Sequence, residues 1–119
     1  MNEHYILDGR EIKPVDLMTW ARWLETNRSD KIIKQEDVGP FWVSTVFLGR
    51  DHRFGDDGPP VLFETMVFGR NADGSVDYSE VHSERCCTYE EAEAMHQRAC
   101  EWSARSAGVE TDGEAPSTP

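Results

Sequence analysis

His96 and Cys100 stand four residues apart, and so do His82 and Cys86. Each pair combines imidazole with thiol, donor types that zinc accepts, so local structure decides what either can do. On a helix the four-residue step puts His96 and Cys100 on one face, a usable geometry for an ion. On a strand it separates His82 from Cys86 by about 13 Å of rise, too far for one ion to bridge. Neither pair belongs to a C-x-x-C knuckle, so buried free cysteines are expected, and no metal or cofactor is predicted. Cys86 or Cys87 beside His52 or His96 would make a thiol–imidazole pair. Asp51 and His52 beside Glu64 would make a metal-hydrolase cluster. No phosphate loop or nucleophile elbow accompanies either arrangement, so no catalytic residue is assigned.

The stretch LGRDHRFGDDGPPVLFETM, Leu48 to Met66, is the densest in polar chemistry. Two apolar strands are joined here by the residues from Gly49 to Pro60, far more than the two to five of a tight hairpin. Arg50, Asp51, His52, Arg53, Phe54, Asp56 and Asp57 fit two readings. In one they pair internally over a Phe54 anchor, as a compact Ω-type loop stiffened by Gly58-Pro59-Pro60. In the other they form a recognition surface on a stiff base, with His52 the residue that titrates near neutral pH. Trp20 and Trp23, three apart on one helix, read as core. Trp42 points to the sheet face the helices leave uncovered, and an exposed Trp42 beside the loop would anchor an interface.

These residues need elements to hold them. Tyr5-Ile6-Leu7, an Asp8-Gly9 turn and Arg10 to Lys13 predict a hairpin. KPVDLMTWARWLETN predicts a helix with Asp16 as N-cap, its stripe formed by Leu17, Trp20, Ala21 and Leu24. Lys31 to Glu36 reads as a weak strand, Phe41 to Leu48 and Val61 to Phe68 as strong ones, and Val76 to Cys87 as a more polar strand near an edge. The two strong strands are apolar on both faces, which places them centrally. Thr88-Tyr89-Glu90-Glu91 is a capping box opening a second helix, with Ala92, Met95, Ala99 and Trp102 facing inward. The expected architecture is α+β: an antiparallel four-stranded meander, two helices packed on one face, and an N-terminal hairpin. Residues 1–105 form the single domain and 106–119 a flexible acidic tail.

With 119 residues, four Trp, five Phe and three Tyr, the chain can bury a core without disulfides. The start MNEHYILDGRE lacks the order of a signal peptide and no long apolar run follows, so a cytoplasmic protein is expected. The net charge of −11 is uneven. Residues 1–70 carry 12 acidic against 9 basic groups, and residues 71–119 carry 11 against 3. Such a field repels phosphate backbones and attracts basic surfaces, including those that hold DNA or RNA.

The segment FWVSTVFLGRDHRFGDDGPPVLFETMVFG, Phe41 to Gly69, resembles a recurrent group of short phage and prophage proteins. The pattern is V-S-T-V-F-L-G, then D-H-x-F, then G-P-P-x-L-F-E-T-M, with LMTWARWLE and TYEEAEAMH similar on either side. Asp51, His52, Phe54, Gly58, Pro59, Glu64 and His96 fall on matching positions, and no established reaction accompanies the group. The resemblance implies a phage-encoded accessory protein in a bacterial host's cytoplasm. The leading expectation is non-enzymatic binding to a host or phage macromolecule, most concretely inhibition of a host defence or nucleic-acid-handling protein. The expected binding residues are Arg50, Asp51, His52, Arg53, Phe54, Asp56, Asp57, Trp42 and His96. Direct nucleic-acid binding and membrane association are not expected. Two other readings are a small ligand-binding or hydrolytic domain bringing His52 and His96 together over Glu64, and a phage structural or housekeeping protein that forms homodimers through the uncovered sheet face.

Overall fold

A computed structural model of the chain describes residues 4–52 and 58–108. Arg53, Phe54, Asp56 and Asp57 lie outside them. The fold is α+β. A two-stranded hairpin, β1 (Tyr5–Asp8) and β2 (Glu11–Pro14), precedes helix α1 (Leu17–Thr26). A single 3₁₀ turn follows, then strands β3 (Ile32–Val38), β4 (Phe41–Phe47), β5 (Phe63–Arg70) and β6 (Val76–Cys86), then helix α2 (Tyr89–Gly108). The four strands form an antiparallel meander in chain order, so β4 and β5 are central and β3 and β6 are the edges. That placement agrees with the doubly apolar character of β4 and β5.

Glycine sets two of the tight turns. Asp8 pairs with Glu11, so the central turn residues are Gly9 and Arg10, and Gly9 has φ of 65°. Positive φ is needed only at the first central position, the pattern of a type II′ turn, so Asp8 stays in the strand. Gly39, with φ of 60°, does the same between β3 and β4, where Val38 pairs with Phe41.

Helix α2 opens on the expected capping box. Glu91 N donates to Thr88 Oγ1, and Glu91 Oε1 accepts in return from Thr88 N and Cys87 N. The helix continues through Gly108, so residues 106–108 extend it rather than begin a tail. Ala92, Met95 and Ala99 are buried against the sheet. One cluster joins Leu7, Phe47, Leu62, Phe63, Ala92 and Met95, and a second joins Val43, Val67 and Ala99. Alternation along β4 and β5 assigns the faces: Val43, Thr45 and Phe47 with Phe63, Thr65 and Val67 meet α2, while Trp42, Ser44 and Val46 with Glu64, Met66 and Phe68 point away.

Helix α1 is capped by Asp16, whose Oδ1 accepts from Thr19 N. It is held more loosely than its apolar stripe predicts, since none of its residues is buried and Leu17 and Met18 are exposed. Trp23 brings it to the core by an edge contact on Phe47. Leu24 lines a groove of about 470 Å³ with Ile32 and Val46.

Candidate functional site

Four elements contribute one polar chain to the interior. Thr45 of β4 and Thr65 of β5 are paired across the sheet, both fully buried, and their hydroxyls hydrogen-bond each other. The Thr45 hydroxyl also bonds His96 Nδ1 at 2.7 Å, and His96 Nε2 meets Glu36 Oε2 of β3 at 2.7 Å. Cys100, one turn beyond His96, donates its thiol to the same carboxylate oxygen at 3.4 Å. His96 is only 3% exposed, so both ring nitrogens need partners and both have them. Two proton arrangements satisfy the chain: a neutral ring donating from Nε2 and accepting from Thr45, or an imidazolium donating from both nitrogens.

The surroundings tune the acids of this chain. The hydrogen bond from His96 holds the Glu36 carboxyl below its ordinary range, with Cys100 and Lys34 adding to the effect against burial. Burial pushes the Cys100 thiol up to about 11, helped by its bond to Glu36. Cys86 is likewise pushed to about 11 by burial, and Cys87 is raised by the same cause. Cys86 donates to Thr88 O and Cys87 to Pro59 O. Burial thus disfavours both thiolates, and both thiols are hydrogen-bonded to carbonyls, which does not fit a thiol–imidazole nucleophile.

The residues expected to bind do not converge. Arg50, Asp51 and His52 lie just past β4 at the base of the long connection. That base is laced shut: Tyr5 N donates to Gly49 O, His52 N to Val61 O, and Val61 N to Asp51 Oδ1. His4 and Arg50 form an isolated bridge. Asp51, through its side chain, and His52, through its backbone, thus tie the base of the connection to Val61, while the Phe54 anchor lies outside the described residues. Trp42 is at the far end of β4, five residues from Phe47 and so about 17 Å away along the strand. It is not beside the loop. His96, on α2, faces the middle of the sheet, where it meets Thr45 and Glu36. Glu64 is on the opposite face from Thr65 and His96 and pairs there with Arg85 Nε at 2.9 Å, so His96 and Glu64 form no common site.

The face turned away from α2 has a character of its own. Trp42 stacks on Phe68 with centroids 5.8 Å apart, and Phe68 meets Tyr78 edge-on at 5.5 Å. Tyr78 is 73% exposed and Val81 51%. The arginines on this side are matched by Asp37 to Arg70 and Glu64 to Arg85, while Glu80, opposite Phe68, remains exposed. Helix α2 lies on the other side of the sheet, and α1 reaches this face at its Ile32–Val46 end, where Leu24 lines the groove with them.

Sequence reasoning missed Glu36, Thr45 and Thr65. A signal existed: each of the two strongest strands carries one threonine on its otherwise apolar inner face. Their common depth is visible only with the register. Comparison with family models, with curated proteins and with solved structures finds no match. Among the described residues, no helix is long and apolar enough to cross a membrane.

Proposed function

We propose that the chain is a non-enzymatic binding protein, a phage-type accessory protein that docks on a partner protein through the sheet face opposite α2. The partner presents an apolar patch within a basic surface of the kind that otherwise holds nucleic acid, so that binding blocks that surface. The observation that carries the reading is the aromatic row Trp42–Phe68–Tyr78 on the face opposite α2, in which a buried Phe68 backs the half-buried Trp42 and the exposed Tyr78. Large aromatic side chains that reach a sheet surface supply the anchor that protein interfaces use. Charge favours a basic partner over a second copy, because two chains each at −11 repel. The buried state of His96, Thr45 and Thr65 supports binding rather than a reaction at that chain.

The test is affinity capture from bacterial lysate with the parent chain and with Trp42→Ala, Tyr78→Ala and His52→Ala. Each variant is first checked for native circular dichroism. The parent and His52→Ala retain the partner at low salt and release it as salt or competing nucleic acid rises. Trp42→Ala and Tyr78→Ala do not retain it. Equal retention by Tyr78→Ala, which removes an exposed ring, refutes the docking face. A dimer of the isolated chain in light scattering assigns the face to self-association instead.

A further inference from the structure

Glu36, His96 and Cys100 each place a ligand atom within 4.8 Å of the other two, with Glu36 Oε2 in contact with both His96 Nε2 and Cys100 Sγ. They come from an edge strand and from two positions one helical turn apart, so the backbone fixes their approach. Around a tetrahedral ion with bonds of about 2.0–2.3 Å, such donors stand about 3.3–3.6 Å apart. The Cys100–Glu36 separation of 3.4 Å already fits, and the His96–Glu36 contact of 2.7 Å has to open by roughly 0.6 Å. The Glu36 side chain is 36% exposed, which allows that movement and gives an ion a way in. Lys34 Nζ, 3.5 Å from the carboxylate, opposes a cation, but its side chain is mostly exposed and free to swing away. Behind the ring, Thr45 and Thr65 provide the hydrogen-bonded support that orients a metal-bound imidazole.

The geometry points to a binding site for a divalent transition metal of the zinc class, held by Glu36, His96 and Cys100 and completed by a water. The ion clasps edge strand β3 to helix α2. Binding forms a sulfur–metal bond in place of the Cys100 S–H bond, and that proton leaves to solvent. His96 donates the Nε2 lone pair. For a neutral ring the proton moves to Nδ1 and is donated to Thr45, while the Thr45 and Thr65 hydroxyls rotate to keep one proton in each contact. For an imidazolium the Nε2 proton leaves to solvent and the Nδ1 proton stays donated to Thr45. No electron is transferred. A carboxylate, an imidazole and a thiolate suit zinc or cobalt better than magnesium or calcium, which take oxygen donors.

Cobalt(II) titration of the whole chain, followed by absorption, tests the site. The expected result is one cobalt per chain, a thiolate-to-cobalt charge-transfer band in the near ultraviolet, and loss of that band when one equivalent of zinc displaces the cobalt. Cys100→Ser abolishes the band, Glu36→Gln weakens cobalt affinity at least about tenfold, and Cys86→Ser and Cys87→Ser leave both unchanged. The parent chain alone is decisive in one direction: no charge-transfer band at saturating cobalt overturns the proposal. So does a band that survives Cys100→Ser or disappears with Cys86→Ser or Cys87→Ser.

Discussion

Thr45→Val removes one buried hydroxyl and keeps the shape of the side chain, so it isolates the polar chain from the packing around it. Thr45 Oγ1 serves two partners, Thr65 Oγ1 and His96 Nδ1, and both are inaccessible to water. Each polar group stranded in the interior costs about 1–3 kcal/mol, so the single substitution, which strands two, should cost about 2–6 kcal/mol. Thr65→Val is milder, because Thr45 retains its bond to His96; a net hydrogen bond of about 0.5–1.5 kcal/mol is lost. The double variant strands only the imidazole nitrogen, at about 1–3 kcal/mol. It should therefore be less destabilised than the two singles added together, by about 1.5–4.5 kcal/mol on these figures. Urea unfolding of the four proteins, read by tryptophan fluorescence with a common slope, measures this. A Thr45→Val cost below about 0.5 kcal/mol, within the range of an ordinary surface change, or strictly additive singles, refutes the reasoning.

Gly49 has φ of 78°, and a Cβ there would come within 2.9 Å of Trp20 Nε1. Gly49→Ala should lose at least about 1–2 kcal/mol from the left-handed backbone alone, and an unchanged melting temperature contradicts the predicted contact. Cys86, pushed to about 11 by burial, should alkylate slowly at neutral pH and faster with each rise in pH toward that value; site-resolved mass spectrometry showing rapid labelling at neutral pH contradicts this. Hydrogen bonds from Thr19 hold the Asp16 carboxyl below its ordinary value of 3.8. A depressed carboxylate stabilises the fold above its unfolded value and loses that contribution as pH falls through its folded one. Asp16→Asn keeps a capping acceptor without the charge, so stability measured by urea unfolding should fall less steeply under acid conditions than in the parent. Identical acid limbs remove the charged cap from the account.

Local chemistry made several elements readable. The capping box at Thr88, the cap at Asp16 and the β-branched runs in β4 and β5 each act through neighbours in sequence, so their reading needed no tertiary information. Strand β5 begins at Phe63 rather than Val61, and the Val61 N–H is taken by the Asp51 side chain, a contact across the loop that the sequence did not disclose. Helix α1 kept its predicted span but not its predicted burial, because it meets the core chiefly through Trp23. The polar chain was least legible. Its members lie on three strands and a helix, and only strand register brings Glu36, Thr45 and Thr65 to the level of His96. The His96–Cys100 spacing showed half of a ligand set; the third donor lay 60 residues upstream of His96.

Nitrogen-15 magnetic resonance of the His96 ring in chelator-treated protein tests most directly whether β3 and α2 are joined through this imidazole. The expected result is a slowly exchanging ring N–H, assigned by its loss in His96→Gln and hastened in exchange by Thr45→Val and Glu36→Gln. A His96 ring N–H that exchanges as fast as that of a free imidazole contradicts the buried Thr65–Thr45–His96–Glu36 chain.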